Sequence, residues 1–192
     1  MAPKPAAPIK AAGAGTGNAS PAAGAPGDSY APLDSTHFRE AMSRIVTAVH
    51  ILTTDGPAGR LGATVSAVCS VSDDPPSILV CVNRASRIHA AILKNRVYCV
   101  NTLQPNHQAL SDAFAGRGNL DMDARFAMAE WTPLATGCPG LRDASLSIDC
   151  EVFSMSEMGT HSVIIGTVAD VRMSDQDRSL VYIRRGYHSV SK

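Results

Sequence analysis

The stretch Gly62-Ala63-Thr64-Val65-Ser66-Ala67-Val68-Cys69-Ser70-Val71-Ser72-Asp73-Asp74-Pro75-Pro76 decides how the chain is read. It begins as a buried strand begins, then turns small and hydroxyl-rich where a core strand stays bulky, and two prolines stop it. Ser77-Ile78-Leu79-Val80-Cys81-Val82 follows as a second strand, and Asn83-Arg84-Ala85-Ser86-Arg87 as its polar end. Small residues let a flat ring approach a backbone closely. Hydroxyls, exposed amides and arginines suit a phosphate. Two readings are open at this point. One is an ordinary pair of strands with a polar connection. The other is a pair of strand ends holding a planar, phosphorylated ligand.

Composition narrows the choice. The first thirty or so of the 192 residues are dominated by Ala, Pro and Gly. Such a segment buries too little apolar surface to offset its ordering entropy, so residues 1–33 are expected to form a disordered tail. Residues 34–192 are then the size of one domain with a proper core. The tail lacks the apolar run of a secretory signal, and no segment reaches the length of a membrane span. Seventeen basic residues balance seventeen acidic ones, which argues against a nucleic-acid or membrane partner. The five cysteines are odd in number and widely spaced, with no zinc-ligand pair among them. They are expected to be free, buried thiols in a reducing cytoplasm, and no metal site is expected.

Working outward, Asp34 or Ser35 caps a helix whose apolar residues fall at Phe38, Met42, Ile45, Val46 and Val49. Strands are predicted at residues 47–54, 61–68, 78–82, 97–103, 146–152, 162–171 and 180–183, and short helices at 86–94, 106–115 and 121–129. Most strands are joined by hairpins. The fold class is therefore mainly β with short helices, in a largely antiparallel sheet that is closed or nearly closed.

No GxGxxG follows a strand, and no phosphate-binding loop, His-Glu-x-x-His or Gly-x-Ser-x-Gly occurs. Three further spots carry candidate chemistry. Phe114-Ala115-Gly116-Arg117-Gly118 ends a helix, and Arg117 there is either a solvated cation or a phosphate ligand. Gly159-Thr160-His161 is either a surface turn or a strand end pointing His161 into a cleft. Arg184-Arg185-Gly186-Tyr187-His188 is either a frayed polar end or a clamp on a dinucleotide. Trp131, the one tryptophan, is expected in the core.

Taken in order, these residues resemble the short-chain flavin reductase family, the split-barrel reductase components of two-component flavin-dependent monooxygenases. The resemblance is to the reductases that serve uracil, 4-hydroxyphenylacetate and chlorophenol monooxygenases. It rests on Phe38-Arg39-x-x-Met42, the stretch Gly62 to Pro76, Leu79-Val80-Cys81-Val82-Asn83-Arg84-x-Ser86 and Cys99-Val100-Asn101-x-Leu103. It continues through Phe114-Ala115-Gly116, Arg125-Phe126, Trp131, Gly137-Cys138-Pro139, Asp149-Cys150, Gly159-Thr160-His161 and Arg185-Gly186-Tyr187-His188. Each piece is weak alone; their order and spacing are specific.

The resemblance implies a split β-barrel of the FMN-binding type and a homodimer. It implies FMN or FAD as cofactor, NADH or NADPH as hydride donor, and an oxygenase component that receives the reduced flavin. By resemblance, Thr64, Ser66, Ala67 and Val68 line the isoalloxazine and Val82 and Asn83 face the ring edge. Ser86 with Arg84 or Arg87 lies near the phosphate, and Phe114 and Arg117 close over the flavin's tail. His161 stands beside the nicotinamide as the catalytic candidate, and Arg185, Tyr187 and His188 lie on the substrate side. Two other functions stay open: a flavin-binding module without turnover, and a flavin-dependent reductase of another acceptor.

Overall fold

Residues 33–176 and 178–191 are described by a computed structural model. Of the tail expected over residues 1–33, residues 1–32 lie outside the described residues. Three sheets, all antiparallel, account for twelve strands: β1 Thr47–Ala48, β2 His50–Thr54, β3 Leu61–Val65, β4 Val68–Asp73, β5 Pro76–Asn83, β6 Val97–Thr102, β7 Trp131–Pro133, β8 Pro139–Leu141, β9 Leu146–Met158, β10 His161–Met173, β11 Arg178–Ile183 and β12 Gly186–Ser191. The main sheet runs β3-β2-β6-β9-β10-β5-β4. A second runs β1-β11-β12, and β7 pairs with β8. Among the described residues four α-helices accompany them: α1 Ser35–Met42, α2 Arg87–Asn95, α3 Gln108–Phe114 and α4 Met122–Phe126. The chain is mainly β with short helices, as predicted. No pairing of β3 with β4 closes the main sheet among the described residues.

Two main cores hold the sheet, beside a small third cluster of Cys99, Leu134 and Cys138. In the first, α2 lays Ile88, Ala91 and Ile92 against Leu52, Val80, Tyr98, Val100 and Ile164. Its spacing of apolar residues is helical, Ser86 caps its N-terminus, and Arg96 ends it in the left-handed conformation. In the second, Phe114 and Phe126 pack beneath Trp131, with Val49, Ile51, Leu103 and Leu180 around them. Asn101 is fully buried between strands. Its amide donates to the Ile51 carbonyl (3.1 Å) and accepts from the Leu141 N–H (2.7 Å) and the Ser147 hydroxyl (2.8 Å). It thereby ties β2, β6, β8 and β9 together. Removing it leaves several buried groups unpaired.

Four sequence expectations are corrected. The strand predicted over 47–54 is broken at Val49, because β1 pairs with β11 while β2 pairs with β3 and β6. The helix expected to use Ile45, Val46 and Val49 stops at Met42, where the chain turns into β1. The strand predicted over 61–68 turns after Val65, and β4 carries on through the hydroxyl-rich residues to Asp73. β4 is an edge strand, so it needs no bulky face. The polar C-terminus is β12, reached by a tight turn in which Arg184 and Arg185 both have positive φ (48° and 63°).

His50 on β2 is buried, bonded through Nδ1 to the Thr102 hydroxyl at 3.0 Å. Burial lowers its pKa from the ordinary 6.5 to about 4. The unfolded chain therefore takes up this proton first as pH falls. Stability from the neutral imidazole is complete above pH 6.5 and is lost as pH drops toward 4, by up to roughly 3 kcal/mol. Denaturant unfolding across this window is expected to show the loss in the wild type and a flatter profile in His50→Gln. Parallel profiles would mean that another group titrates.

Candidate functional site

β3 and β4 stand at opposite edges of the main sheet, yet only Ser66 and Ala67 separate them. The sheet must therefore curl until its two edges meet at that corner. Ser66 and Ala67 are small enough for so tight a passage. The corner is pinned by the Cys81 N–H, which donates to the Ala67 carbonyl at 3.0 Å. Across from it lie the end of β5 and the start of β10, where Asn83 and His161 are cross-strand partners. The Asn83 side chain accepts from the Ala85 N–H (2.9 Å), and the Arg84 N–H donates to the Thr160 carbonyl (3.0 Å), so both turns are fixed.

Between corner and strand ends is a cleft of about 420 Å³ at the seam of the two cores. One wall is Ala63 to Ala67, and a second is Cys81 to Asn83 with Ser86 and Ile88. Val49, Ala115, Arg117, His161, Tyr182 and Tyr187 complete it. This is the size and mixed polarity of a small-molecule site. A second hollow of about 400 Å³ shares Ala63, Ser86, Ile88 and Ala115 with the cleft and adds Arg87, Arg125 and Asp121.

The end of α3 is tied to both the sheet and the C-terminal hairpin. The Thr64 hydroxyl donates to the Ser111 carbonyl at 2.6 Å. Tyr187 stacks edge-on against Tyr182, with centroids 5.1 Å apart, and its hydroxyl is shared between the Ser111 hydroxyl and the Asp112 carboxylate, 3.0 Å from each. Asp112 also accepts from Arg117 at 2.8 Å. Burial raises the Tyr187 phenol above its usual range, and the neighbouring Asp112 carboxylate adds to the rise.

Of the predicted residues, Thr64, Ser66, Ala67, Val82, Asn83, Ser86, Arg117, His161 and Tyr187 are brought together around the cleft. Arg87 borders the second hollow, as does Phe114. Phe114 is only 2 % exposed, so it is a floor for the site rather than a cover. Val68 lies just past the corner, packed against the first core. Arg84 is turned away to Glu157 (2.8 Å) and the Gly159 carbonyl (3.3 Å), which leaves Arg87 as the arginine of that pair near the hollow. Arg185 is bound by Glu40 at 3.1 Å and does not line the cleft. His188 is exposed and outside the cleft. The Ser86 hydroxyl is already used, donating to the Asn83 carbonyl (2.6 Å) and accepting from the His89 N–H (3.4 Å). Sequence reasoning missed Val49, Ala63, Cys81, Tyr182, Asp112 and Arg125. Tyr182 is a half-buried residue of β11, set beside Tyr187 of β12 as its cross-strand partner.

Residues 42–191 match the model of the flavin reductase like domain. The chain is 46 % identical over 162 residues to the FMN reductase (NADH) RutF of Pantoea ananatis, covering 84 % of each protein. It is 47 % identical over 161 residues to FMN reductase (NADH) RutF 1 of Methylorubrum extorquens, covering 84 % of this chain and 79 % of that protein. Among solved structures it is similar to flavin reductase PheA2 (TM-score 0.76, 29 % identity, 83 % of this chain and 100 % of that one). It is also similar to BorF, the flavin reductase component of a bacterial two-component tryptophan halogenase (TM-score 0.77, 28 % identity, 83 % and 99 %).

The β3 wall depends on Gly62. A Cβ there would come within 2.5 and 2.8 Å of the Phe114 ring, which Phe126 and Trp131 hold at centroid distances of 5.2 and 5.7 Å. Gly62→Ala is expected to cost about 1–3 kcal/mol in denaturant unfolding. Unchanged stability would show that the ring has room to move.

Proposed function

This chain belongs to the flavin reductase like family, and is an oxidoreductase of that family; from this and the cleft we propose that it takes FMN and NADH and releases reduced flavin to an oxygenase component. The observation that carries the reading is the cleft itself: small residues from Ala63 to Ala67 on one side, strand ends bearing Asn83 and His161 on the other. The family's split-barrel arrangement is part of the proposal, supported by the two-residue corner between the sheet edges. The names of the curated relatives favour FMN and NADH over FAD and NADPH.

The residues fit a flavin. A wall of alanine, serine and threonine lets a flat ring lie along β3 without displacing side chains. A flavin held there would supply the hydride acceptor for reduced nicotinamide, and the cleft residues would supply stacking surface, orientation and exclusion of water. The Asn83 end of β5 offers polar groups to the ring edge, and His161 on the facing strand end orients the donor. The phosphate is assigned to the place where the second hollow meets the cleft, between the first turn of α2, with its backbone N–H groups and Arg87, and the segment from Ala115 to Arg117. Ser86 acts there through the cap it makes, since its hydroxyl proton is already bonded.

A homodimer belongs to the same reading. α1 buries none of its residues, and Phe38, Met42, Ile45 and Val46 are exposed. So are Phe153, Met158, Val171 and Met173 on β9 and β10. Apolar surface of this extent calls for a partner. All five thiols are free, with Cys99, Cys138 and Cys150 buried as expected but Cys81 half-buried and Cys69 exposed on the edge strand β4; free thiols support a cytoplasmic setting. No helix among the described residues is long and apolar enough to cross a membrane.

The deciding experiment is aerobic NADH oxidation by the purified protein with and without added FMN, FAD or riboflavin. Oxidation that requires flavin and is best with FMN is expected. Stoichiometric flavin binding without oxidation would instead make the protein a binding module. His161→Ala is expected to slow flavin reduction about tenfold or more in stopped flow while leaving flavin affinity near wild type. Weakened binding with an unchanged hydride step would move His161 to the flavin side. Sedimentation is expected to give about 40 kDa, twice the 20.1 kDa chain, and an active monomer would overturn the dimer.

A further inference from the structure

Arg117 lines the cleft, but its charge is not free. Its guanidinium donates to Asp112 Oδ1 at 2.8 Å. The same oxygen receives the Tyr187 hydroxyl at 3.0 Å, and that hydroxyl also meets Ser111. Asp112 is therefore a shared acceptor between the rim arginine and a tyrosine that itself lines the cleft. The Arg117 side chain is 62 % exposed and Asp112 28 %, so the cation faces solvent while its counter-ion is held from behind.

The backbone around Arg117 is built to present it. Gly116 and Gly118 have φ of 89° and 80°, Asn119 has 51°, and nothing lies within 4 Å of a Cβ placed on either glycine. Residues without side chains on both sides of one arginine allow it to be re-aimed at small steric cost. In the structure Arg117 is paired with Asp112; re-aimed, it would meet an anion in the cleft that it lines.

We propose that Asp112 is a positioning residue that weakens the grip of Arg117 on the phosphate of a cleft ligand, so that the ligand binds and leaves rather than staying bound. This rests on the reading of the cleft as a flavin and nicotinamide site. A phosphate reaching Arg117 must replace the carboxylate, and its net gain is reduced by the ion pair given up. A protein that hands its product on gains from such a counter-ion, whereas one that retains a prosthetic group does not. The phosphate has two sources, the 5′-phosphate of FMN and the pyrophosphate of the dinucleotide.

The test uses Asp112→Asn, which keeps the shape and an acceptor for Tyr187 while removing the charge. Fluorescence titration with FMN and with riboflavin reads the flavin phosphate, and the KM for NADH reads the pyrophosphate. Asp112→Asn is expected to tighten FMN about two- to fivefold with riboflavin unchanged, or to lower the KM for NADH by a similar factor with FMN unchanged. Either result supports the proposal and names the source. Adding Arg117→Gln to Asp112→Asn is expected to abolish the gain. Asp112→Ser is expected to behave as Asp112→Asn does, so a folding failure of one leaves the other to decide. Equal effects on FMN and riboflavin, weaker binding, no change in either ligand, or a gain that survives loss of Arg117 would each overturn it. Flavin-dependent NADH oxidation by the wild type decides the underlying reading separately, because the variant series is read as ratios.

Discussion

The passage of the chain from β3 to β4 through Ser66 and Ala67 is the constraint on which the rest of the site depends. Two residues span at most about 7 Å. The strands they join are six places apart in the sheet order. Only a strongly curled sheet satisfies both facts. Curling brings the β3 wall opposite the ends of β5 and β10, and the space between becomes the cleft. The hydrogen bond from the Cys81 N–H to the Ala67 carbonyl holds the corner to β5. Bulky residues here would either open the corner or fill the cleft, which is why the sequence turns small where a core strand would not.

The remaining elements hold this geometry from outside. α2 packs on the first core and starts at the cleft with Ser86 as its cap. α3 ends at the cleft, tied to β3 by Thr64 and to β12 by Tyr187. The floor is the aromatic cluster of Phe114, Phe126 and Trp131, with Arg60 stacked 4.4 Å above the Phe126 ring. Side chains locked by packing and by bonds to one another cost little to organise when a ligand enters. The cleft lining carries hydroxyls, Asn83, Arg117 and His161 but no carboxylate, which suits chemistry carried by the ligands themselves.

Much of this was legible in the sequence. Helical spacing after Ser86 identified α2, and alternation at Leu146, Ile148 and Val152 identified β9. The small, hydroxylated stretch after Gly62 marked the cleft wall. What was not legible depends on partners far apart in the chain. The break at Val49 follows from β1 choosing β11, some 130 residues away, over the partners of β2. β12 was hidden because a short polar edge strand has no apolar face to betray it. Arg84 and Arg87 look equivalent in sequence. Only Glu157, brought near by the β9–β10 turn, shows that Arg84 is held elsewhere. Asp112 carried no local signal, because its meaning comes from Tyr187 seventy-five residues later.

The most direct test of the central claim, that the Ser66–Ala67 corner forms one face of the flavin site, is flavin affinity in Ala67→Leu. Ala67 is exposed and lines the cleft, so the larger side chain occupies ligand space without entering either core. Fluorescence titration is expected to show FMN and riboflavin weakened alike by about tenfold or more, with the melting temperature near wild type. Wild-type affinity for both flavins in a folded Ala67→Leu protein would contradict the account and place the flavin elsewhere.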